Sequence, residues 1–334
     1  MTSSLLLQTV TAVLSAGLAF AADSAVATLS GPRLGLVFDP AAGELRPISG
    51  IAGAAMTGEP LSLGFIIARA AISPTGNAAL VVEASSSVAL VHATGGDWVA
   101  ASLDEVQPAP DQMVFSPSGA AAALYYAMGR VQVLTGLPGA ASVAGEIDVS
   151  SLPAPVTAMA VDDTGSFLLM AAGQAEPVSL YLVPLGSAPS LVTTFRSVSA
   201  LQLFDSGQQA LVTDALASTV YQITDPAGAA ALQIVASPSD GIQGLVAAES
   251  DAAGQRVFAA TAAGTVFIFD RSVGAATTLD CACAPAGLFP LTGAATFRLT
   301  ELAGGPLQVL DASGAPRIVA VPPPTRAARP RKPQ

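Results

Sequence analysis

The sequence predicts an all-β protein built from one antiparallel sheet unit that repeats along the chain. Three observations support this prediction. A strand, a glycine-containing turn and a second strand recur through the 334 residues, for example in "VFSPSGAAAALYYAMGRVQVLTG" at residues 114–136. Many of these strands are continuous apolar runs, as expected for sheets covered on both faces. Helix-period patterns are not found in the repeated part of the chain.

The turn glycines give the length of the repeat. Successive turns are spaced by 43, 46, 42, 47 and 39 residues. The glycines are Gly76, Gly119, Gly165, Gly207, Gly254 and Gly293. Proline, Ser or Asp before the glycine favours a tight turn, and glycine accepts the positive φ that the turn requires. Each unit then adds two further apolar strands, so that a period of about 40 to 50 residues with four strands predicts a β-propeller blade.

The number of units predicts how the ring closes. Six full units follow a partial one, "GPRLGLVFDPAAGELRPISG" at residues 31–50, which the preceding "SAVATLSG" extends in one interpretation. We therefore expect a single β-propeller domain over residues 22–321. Seven blades are expected, with a partial or composite N-terminal blade. Six blades completed by the N-terminal strands are the alternative.

Both ends of the chain differ from the repeats. An apolar run from Leu5 to Ala21 ends in Ala19-Phe20-Ala21, which predicts a signal peptide over residues 1–21 and cleavage before Ala22. An N-terminal helix of the fold is the alternative. Residues 322–334 are basic and proline-rich, which predicts a disordered tail. The protein is thus expected to be exported, to the periplasm or outside the cell, with no membrane span after signal removal because later segments lack about 18 uninterrupted apolar residues.

The composition limits the classes of partner. Charged residues make up 11% of the chain against roughly 25% in ordinary soluble domains. The net charge is −11, although four of the 13 cationic residues lie in the tail. An acidic surface repels phosphates, so no nucleic-acid or anionic membrane partner is expected.

The repeat resembles that of bacterial β-propellers of the YVTN and WD40-like type. The turns "SPTG" and "SPSG" and the stretch "VTDALASTVYQI" at residues 212–223 carry the resemblance, which covers residues 34–321. The Trp-Asp ending of true WD repeats is absent. The resemblance implies the fold and little about activity, because the family includes both scaffolds and enzymes.

The sequence contains few groups suited to catalysis. His92 is the one histidine, which excludes multi-histidine metal sites within one chain, and no nucleophile or phosphate-binding motif is found. No catalytic residue, metal or cofactor is therefore predicted. Cys281 and Cys283 are separated by one residue, and either a local disulfide or two free thiols fits this spacing.

The loops that follow second strands gather at one face of a propeller and give the candidate binding residues. These candidates are Glu83, Tyr125, Tyr126, Asp214 and Glu301. The opposite face receives the turns between first and second strands, where acidic residues are explained as turn formers. The turn residues concerned are Asp162, Asp163, Asp205 and Asp251.

Two functions fit these features. The favoured hypothesis is a monomeric binding scaffold whose loops engage an unidentified protein or glycan. The alternative is a carboxylate- or Ca²⁺-dependent hydrolase or lactonase with its site at the mouth of the central channel, which would need at least three converging carboxylates.

Overall fold

The fold was analysed in a computed structural model that describes residues 31–303 and 305–323. Within these residues the chain forms seven antiparallel sheets, six of four strands and a first one of three. The expected signal peptide and the tail from residue 324 onward lie outside the described residues, so export and tail disorder stay predictions. No helix in the described part of the chain is long and apolar enough to cross a membrane.

The sheets follow one another in chain order, and we number them as blades 1 to 7. Blade 1 contains β1 (Arg33–Asp39), β2 (Glu44–Ser49) and β3 (Met56–Thr57). Blade 2 contains β4 (Ile67–Ile72), β5 (Ala78–Glu83), β6 (Val88–Thr94) and β7 (Asp97–Ser102). Blade 3 contains β8 (Gln112–Phe115), β9 (Ala121–Tyr126), β10 (Arg130–Thr135) and β11 (Ser142–Asp148). Blade 4 contains β12 (Val156–Val161), β13 (Phe167–Ala172), β14 (Val178–Pro184) and β15 (Ser190–Phe195).

The remaining three blades have the same pattern. Blade 5 contains β16 (Ala200–Phe204), β17 (Gln209–Asp214), β18 (Thr219–Thr224) and β19 (Ala231–Ala236). Blade 6 contains β20 (Leu245–Ser250), β21 (Arg256–Thr261), β22 (Thr265–Asp270) and β23 (Ala275–Asp280). Blade 7 contains β24 (Phe289–Pro290), β25 (Thr296–Arg298), β26 (Leu307–Asp311) and β27 (Arg317–Val321). Two single-turn 3₁₀ helices lie at Asp205–Gly207 and Pro238–Asp240.

Each four-stranded blade is a simple meander, because short connections make consecutive strands neighbours. The first strands of successive blades approach one another, as β4 does with β8 and β12 with β16, so they are the innermost strands of the ring. The second strands are buried on both faces; every residue of β9 is buried. Outer strands such as β19 are largely exposed.

Apolar packing between blades closes the ring. A separate cluster of buried apolar side chains fills the interface between each pair of successive blades. Two more clusters join blade 7 to blade 1, through residues such as Val309 and Val37, and blade 1 to blade 2, through Leu36 and Val81. Because seven interfaces connect seven sheets, the seven-bladed prediction is confirmed and the six-bladed alternative is wrong.

The turns between first and second strands have the predicted chemistry. In blade 3 the Gly119 N–H donates to the Ser116 carbonyl at 2.9 Å, and Gly119 has φ of +75°. A Cβ at this position would lie 2.3 Å from Ser73 Oγ of blade 2. Glycine is therefore required both by the backbone conformation and by the close approach of two neighbouring turns.

Blade 1 is partial in the described chain, and blades 7 and 2 meet beside it. The Thr292 N–H of blade 7 donates to the Leu34 carbonyl of blade 1 at 2.7 Å. The hydroxyl of the same Thr292 donates to the Thr75 carbonyl of blade 2 at 3.1 Å. The first blade is thus held in place by a hydrogen bond to the turn of the last blade as well as by apolar packing.

Candidate functional site

A cavity of about 690 Å³ lies at the centre of the ring. Blades 2 to 7 all contribute to it, through their first strands and the turns that follow these strands. Its volume falls within the range of about 300–1,000 Å³ found for small-molecule sites. The turns between first and second strands therefore form the mouth of the cavity, whereas the sequence favoured the opposite face.

The walls of the cavity combine apolar and polar surface in nearly equal parts. The apolar lining includes Ile72, Phe115, Met159, Leu203, Leu291 and Phe297. No Lys, Arg or His belongs to the lining formed by the described residues. All the ionisable side chains among the described lining residues are carboxyl groups, so a positively charged or neutral ligand suits the cavity better than an anion.

The carboxylates at the mouth have structural partners. Asp163 accepts hydrogen bonds from the N–H and hydroxyl of Ser118 in the neighbouring blade, at 2.8 and 2.6 Å. Asp251 pairs with Arg256 at 3.1 Å and accepts from the Gln255 N–H at 2.8 Å. These groups hold the turns in place, as their interpretation as turn residues predicts.

Glu249 differs from these carboxylates. It lies on β20 directly opposite Phe258, so both side chains project from the same face of blade 6. The Phe258 ring packs 4.9 Å, centroid to centroid, from Phe297 of blade 7. Glu249 is half-buried overall, but its Oε2 is buried and has no hydrogen-bond partner. Burial in these apolar surroundings raises the pKa of the Glu249 carboxyl well above its ordinary value of 4.5.

Ser250, the next residue, is also unsatisfied. Its side chain is only 4% exposed and its hydroxyl has no partner, although its N–H donates to Gln202 Oε1 at 2.9 Å. Three buried side-chain oxygens lack partners in the described chain, and Glu249 Oε2 and Ser250 Oγ are two of them. Because buried polar groups are nearly always hydrogen-bonded, two adjacent exceptions in a cavity wall mark this wall as a candidate ligand site.

None of the five predicted binding residues lines this cavity. Asp214 is 1% exposed and accepts hydrogen bonds from the N–H groups of Arg196, Ser197 and Ala217 and from the Ser197 hydroxyl. It borders a separate surface depression of about 430 Å³ together with Tyr221. Its carboxylate therefore joins the loop after β17 to the connection that leads from blade 4 into blade 5.

Three of the other four residues also have local partners. Glu301 forms a 2.8 Å ion pair with Arg298, whose side chain is buried, and Glu83 accepts from the Ser85 hydroxyl at 3.1 Å. The Tyr126 hydroxyl has two acceptors within hydrogen-bond distance, the Gln107 carbonyl at 2.7 Å and Gln132 Oε1 at 2.9 Å. Burial raises the pKa of both Tyr125 and Tyr126. These residues are not brought together at one site.

The histidine and the cysteines lie on outer parts of blades 2 and 6. His92 Nδ1 is 3.1 Å from Thr94 Oγ1 on β6. Cys281 and Cys283 are joined by a disulfide with an S–S distance of 1.99 Å, and both pack against the apolar cluster between blades 6 and 7. Within the described residues no three His, Cys, Asp or Glu side chains are grouped for metal binding.

The sequence did contain a signal for Glu249 and Ser250. In the segments that precede the turns, "MAVD" and "MVFS" are apolar up to the turn residue, whereas "AESD" places Glu and Ser there. The strand register gives Gln202 of blade 5 the same position in its blade as Glu249. A polar residue at this innermost position indicates a side chain near the channel.

The fold and the cavity together define a seven-bladed β-propeller with a central, partly acidic cavity. A functionally unknown protein from Desulfotomaculum acetoxidans is similar in structure, with a TM-score of 0.61 and 13% identity over 87% of this chain and all of that one. The Cps50 (Swd1) β-propeller domain of Myceliophteria thermophila gives a TM-score of 0.50 and 14% identity over 82% of this chain and 95% of that domain.

At such identities these likenesses show the fold alone. No protein-family model matches the chain, and no curated protein matches it in sequence. The resemblance of the repeats to the YVTN and WD40-like type therefore stays a prediction.

Proposed function

We propose that this protein is a binding module that holds a small ligand in the central cavity. The observation that supports this proposal is the cavity of about 690 Å³ whose wall carries two adjacent unsatisfied polar groups, Glu249 and Ser250. Six blades build the wall from innermost strands, so the site is rigid and its polar groups are fixed in position. Rigid sites of this kind favour binding because little conformational entropy is lost when the ligand enters.

The hydrolase alternative receives less support. It needs at least three carboxylates free to act on a substrate or to share a Ca²⁺ ion. The mouth carboxylates Asp163 and Asp251 already accept hydrogen bonds from neighbouring turns. Glu249 is a single carboxyl in an apolar wall, which suits recognition of one ligand group.

Binding of Nile red, an uncharged apolar dye, tests the proposal. We expect its fluorescence to rise on binding to the wild-type protein, and Ala252→Trp to weaken binding at least fivefold because Ala252 is exposed at the cavity mouth. The matched control is Ala101→Trp on the exposed outer strand of blade 2, which should bind the dye as the wild type does. No binding, or equal loss in both variants, would refute the proposal.

A further inference from the structure

We propose that the cavity recognises an amphiphilic organic cation, whose ammonium group pairs with Glu249 while its apolar body packs on the cavity wall. This inference rests on the proposed function and specifies the chemical class of the ligand. Three properties of the described residues support it: the unpaired carboxyl, the absence of a neutralising cation in the lining, and the apolar surface around them.

The first property is the unsatisfied polar pair. Glu249 Oε2 and Ser250 Oγ are buried without partners, and Ser250 is 96% covered by the protein, since only 4% of it is exposed. Glu249 and Ser250 are consecutive on β20, so their side chains project to opposite faces of the strand, and one ammonium group pairs with the Glu249 carboxyl alone. Burying polar groups without a partner is unfavourable, so a ligand that supplies the missing donors recovers that free energy on binding.

The second property is the charge balance around Glu249. Arg256, on the neighbouring strand, is committed to the Asp251 carboxylate at 3.1 Å and to the Ala312 carbonyl at 2.7 Å. Arg298 of blade 7 is paired with Glu301 at 2.8 Å. The carboxylates at the cavity mouth add further negative potential. Burial disfavours ionisation of the Glu249 carboxyl in the empty cavity, so an ammonium ion that pairs with it stabilises the ionised form, and the carboxyl proton is released to solvent on binding.

The third property separates an organic cation from a metal ion. Ca²⁺ takes six to eight oxygen ligands, and no group of three potential metal-binding side chains is found in the described chain. The walls instead offer apolar contact from Phe115, Met159, Leu203 and Leu291. A single ammonium attached to an aromatic or aliphatic body satisfies both the carboxyl and these walls.

The test compares two ligands of nearly equal shape, 1-naphthylmethylammonium and the uncharged 1-naphthalenemethanol, by isothermal titration calorimetry on the wild-type protein. We expect the ammonium compound to bind at least tenfold more tightly. In Glu249→Gln the preference for the ammonium compound should fall below threefold. Glu105→Gln makes the same chemical change at an exposed carboxylate outside the cavity lining and should keep the full preference.

The outcomes distinguish this inference from the proposed function. If Nile red and both naphthyl compounds bind but the two compounds bind equally, or the alcohol binds more tightly, the cavity is a binding site and the inference of a cationic ligand is wrong. If the preference persists in Glu249→Gln, Glu249 is not the recognising group. The comparison on the wild-type protein needs no variant, so it remains decisive even if Glu249→Gln fails to fold.

Discussion

Two carboxylates in adjacent blades have opposite environments. Asp214, at the end of β17 in blade 5, is almost fully buried and accepts four hydrogen bonds from two loops. Glu249, on the innermost strand of blade 6, has an oxygen that is buried without a donor. The first group was predicted as a binding residue from its loop position, and the second was not predicted at all.

This contrast separates structural from functional carboxylates in this fold. A carboxylate whose oxygens are all engaged stabilises the protein and has no capacity left for a ligand. A buried carboxyl without donors destabilises the protein, and a ligand that donates hydrogen bonds removes that cost. Substitutions at Asp214, Glu249, Glu301 and Glu83 test this distinction.

Removing the Asp214 carboxylate should cause the largest loss of stability. We expect Asp214→Ala to lower the free energy of unfolding by about 3 kcal/mol, because three N–H groups and one hydroxyl lose their acceptor. Urea denaturation measures the change. Asp214→Asn keeps one oxygen acceptor and should lose less, and equal losses in the two variants would contradict this role.

Replacing Glu249 should remove a dependence of stability on pH. Burial raises the pKa of the folded-state carboxyl, so the unfolded chain ionises first as pH rises. The wild type should therefore lose stability relative to Glu249→Gln by up to about 1.4 kcal/mol per pH unit, starting near pH 4.5 and ending at the folded-state pKa.

Urea denaturation from pH 4 to pH 8 measures this difference between the two proteins. Glu105→Gln serves as the control, because its carboxylate is exposed and its stability should follow that of the wild type. A constant difference between wild type and Glu249→Gln over the whole range would show that the carboxyl is not buried as described.

Neutralising Glu301 tests a carboxylate that has an ion-pair partner but is partly exposed to solvent. Its partner Arg298 has a side chain that is only 6% exposed, whereas Glu301 itself is 45% exposed. We expect Glu301→Gln to cost about 1 kcal/mol, because the pair is partly screened by solvent. Binding of 1-naphthylmethylammonium should not change, and a tenfold weaker affinity would place Glu301 in the binding site.

Truncating Glu83 should have the smallest effect. Its carboxylate accepts a single hydrogen bond from the Ser85 hydroxyl, in an exposed loop. We expect Glu83→Ala to change the free energy of unfolding by no more than about 0.5 kcal/mol and to leave binding of Nile red unchanged. A larger change in a thermal melt would show a structural role that the contacts do not account for.

The repeat could be predicted from the sequence because its signals are local. Gly119 and Gly165 occupy turns whose backbone conformation excludes most other residues, and such a constraint recurs in each of blades 2 to 7. The environment of Glu249 could not be predicted in this way. It depends on Phe258 and Phe297, which come from two other strands, and on the face of the ring at which the cavity lies.

Asp214 illustrates the opposite limit of sequence reasoning. Its position after a second strand was predicted correctly as a loop end, but the partners of a loop carboxylate follow from the conformation of that loop. Arg196 and Ser197 come from the preceding connection, and their N–H groups converge on one carboxylate only after blade 5 has formed. Residue type and spacing alone do not distinguish this arrangement from an open binding site.

The junction between blade 7 and blade 1 has a consequence for the order of unfolding. Within the described residues every strand of blade 7 comes from one continuous stretch, and no strand of blade 1 crosses into its sheet. Among the described residues, the junction is therefore held by side-chain packing and by hydrogen bonds such as that between Thr292 and Leu34. Blades 2 to 6 are each joined to both neighbours by continuous chain. Amide hydrogens at the junction of blades 7 and 1 should therefore exchange with solvent sooner than those of the innermost strands of blades 3 to 5.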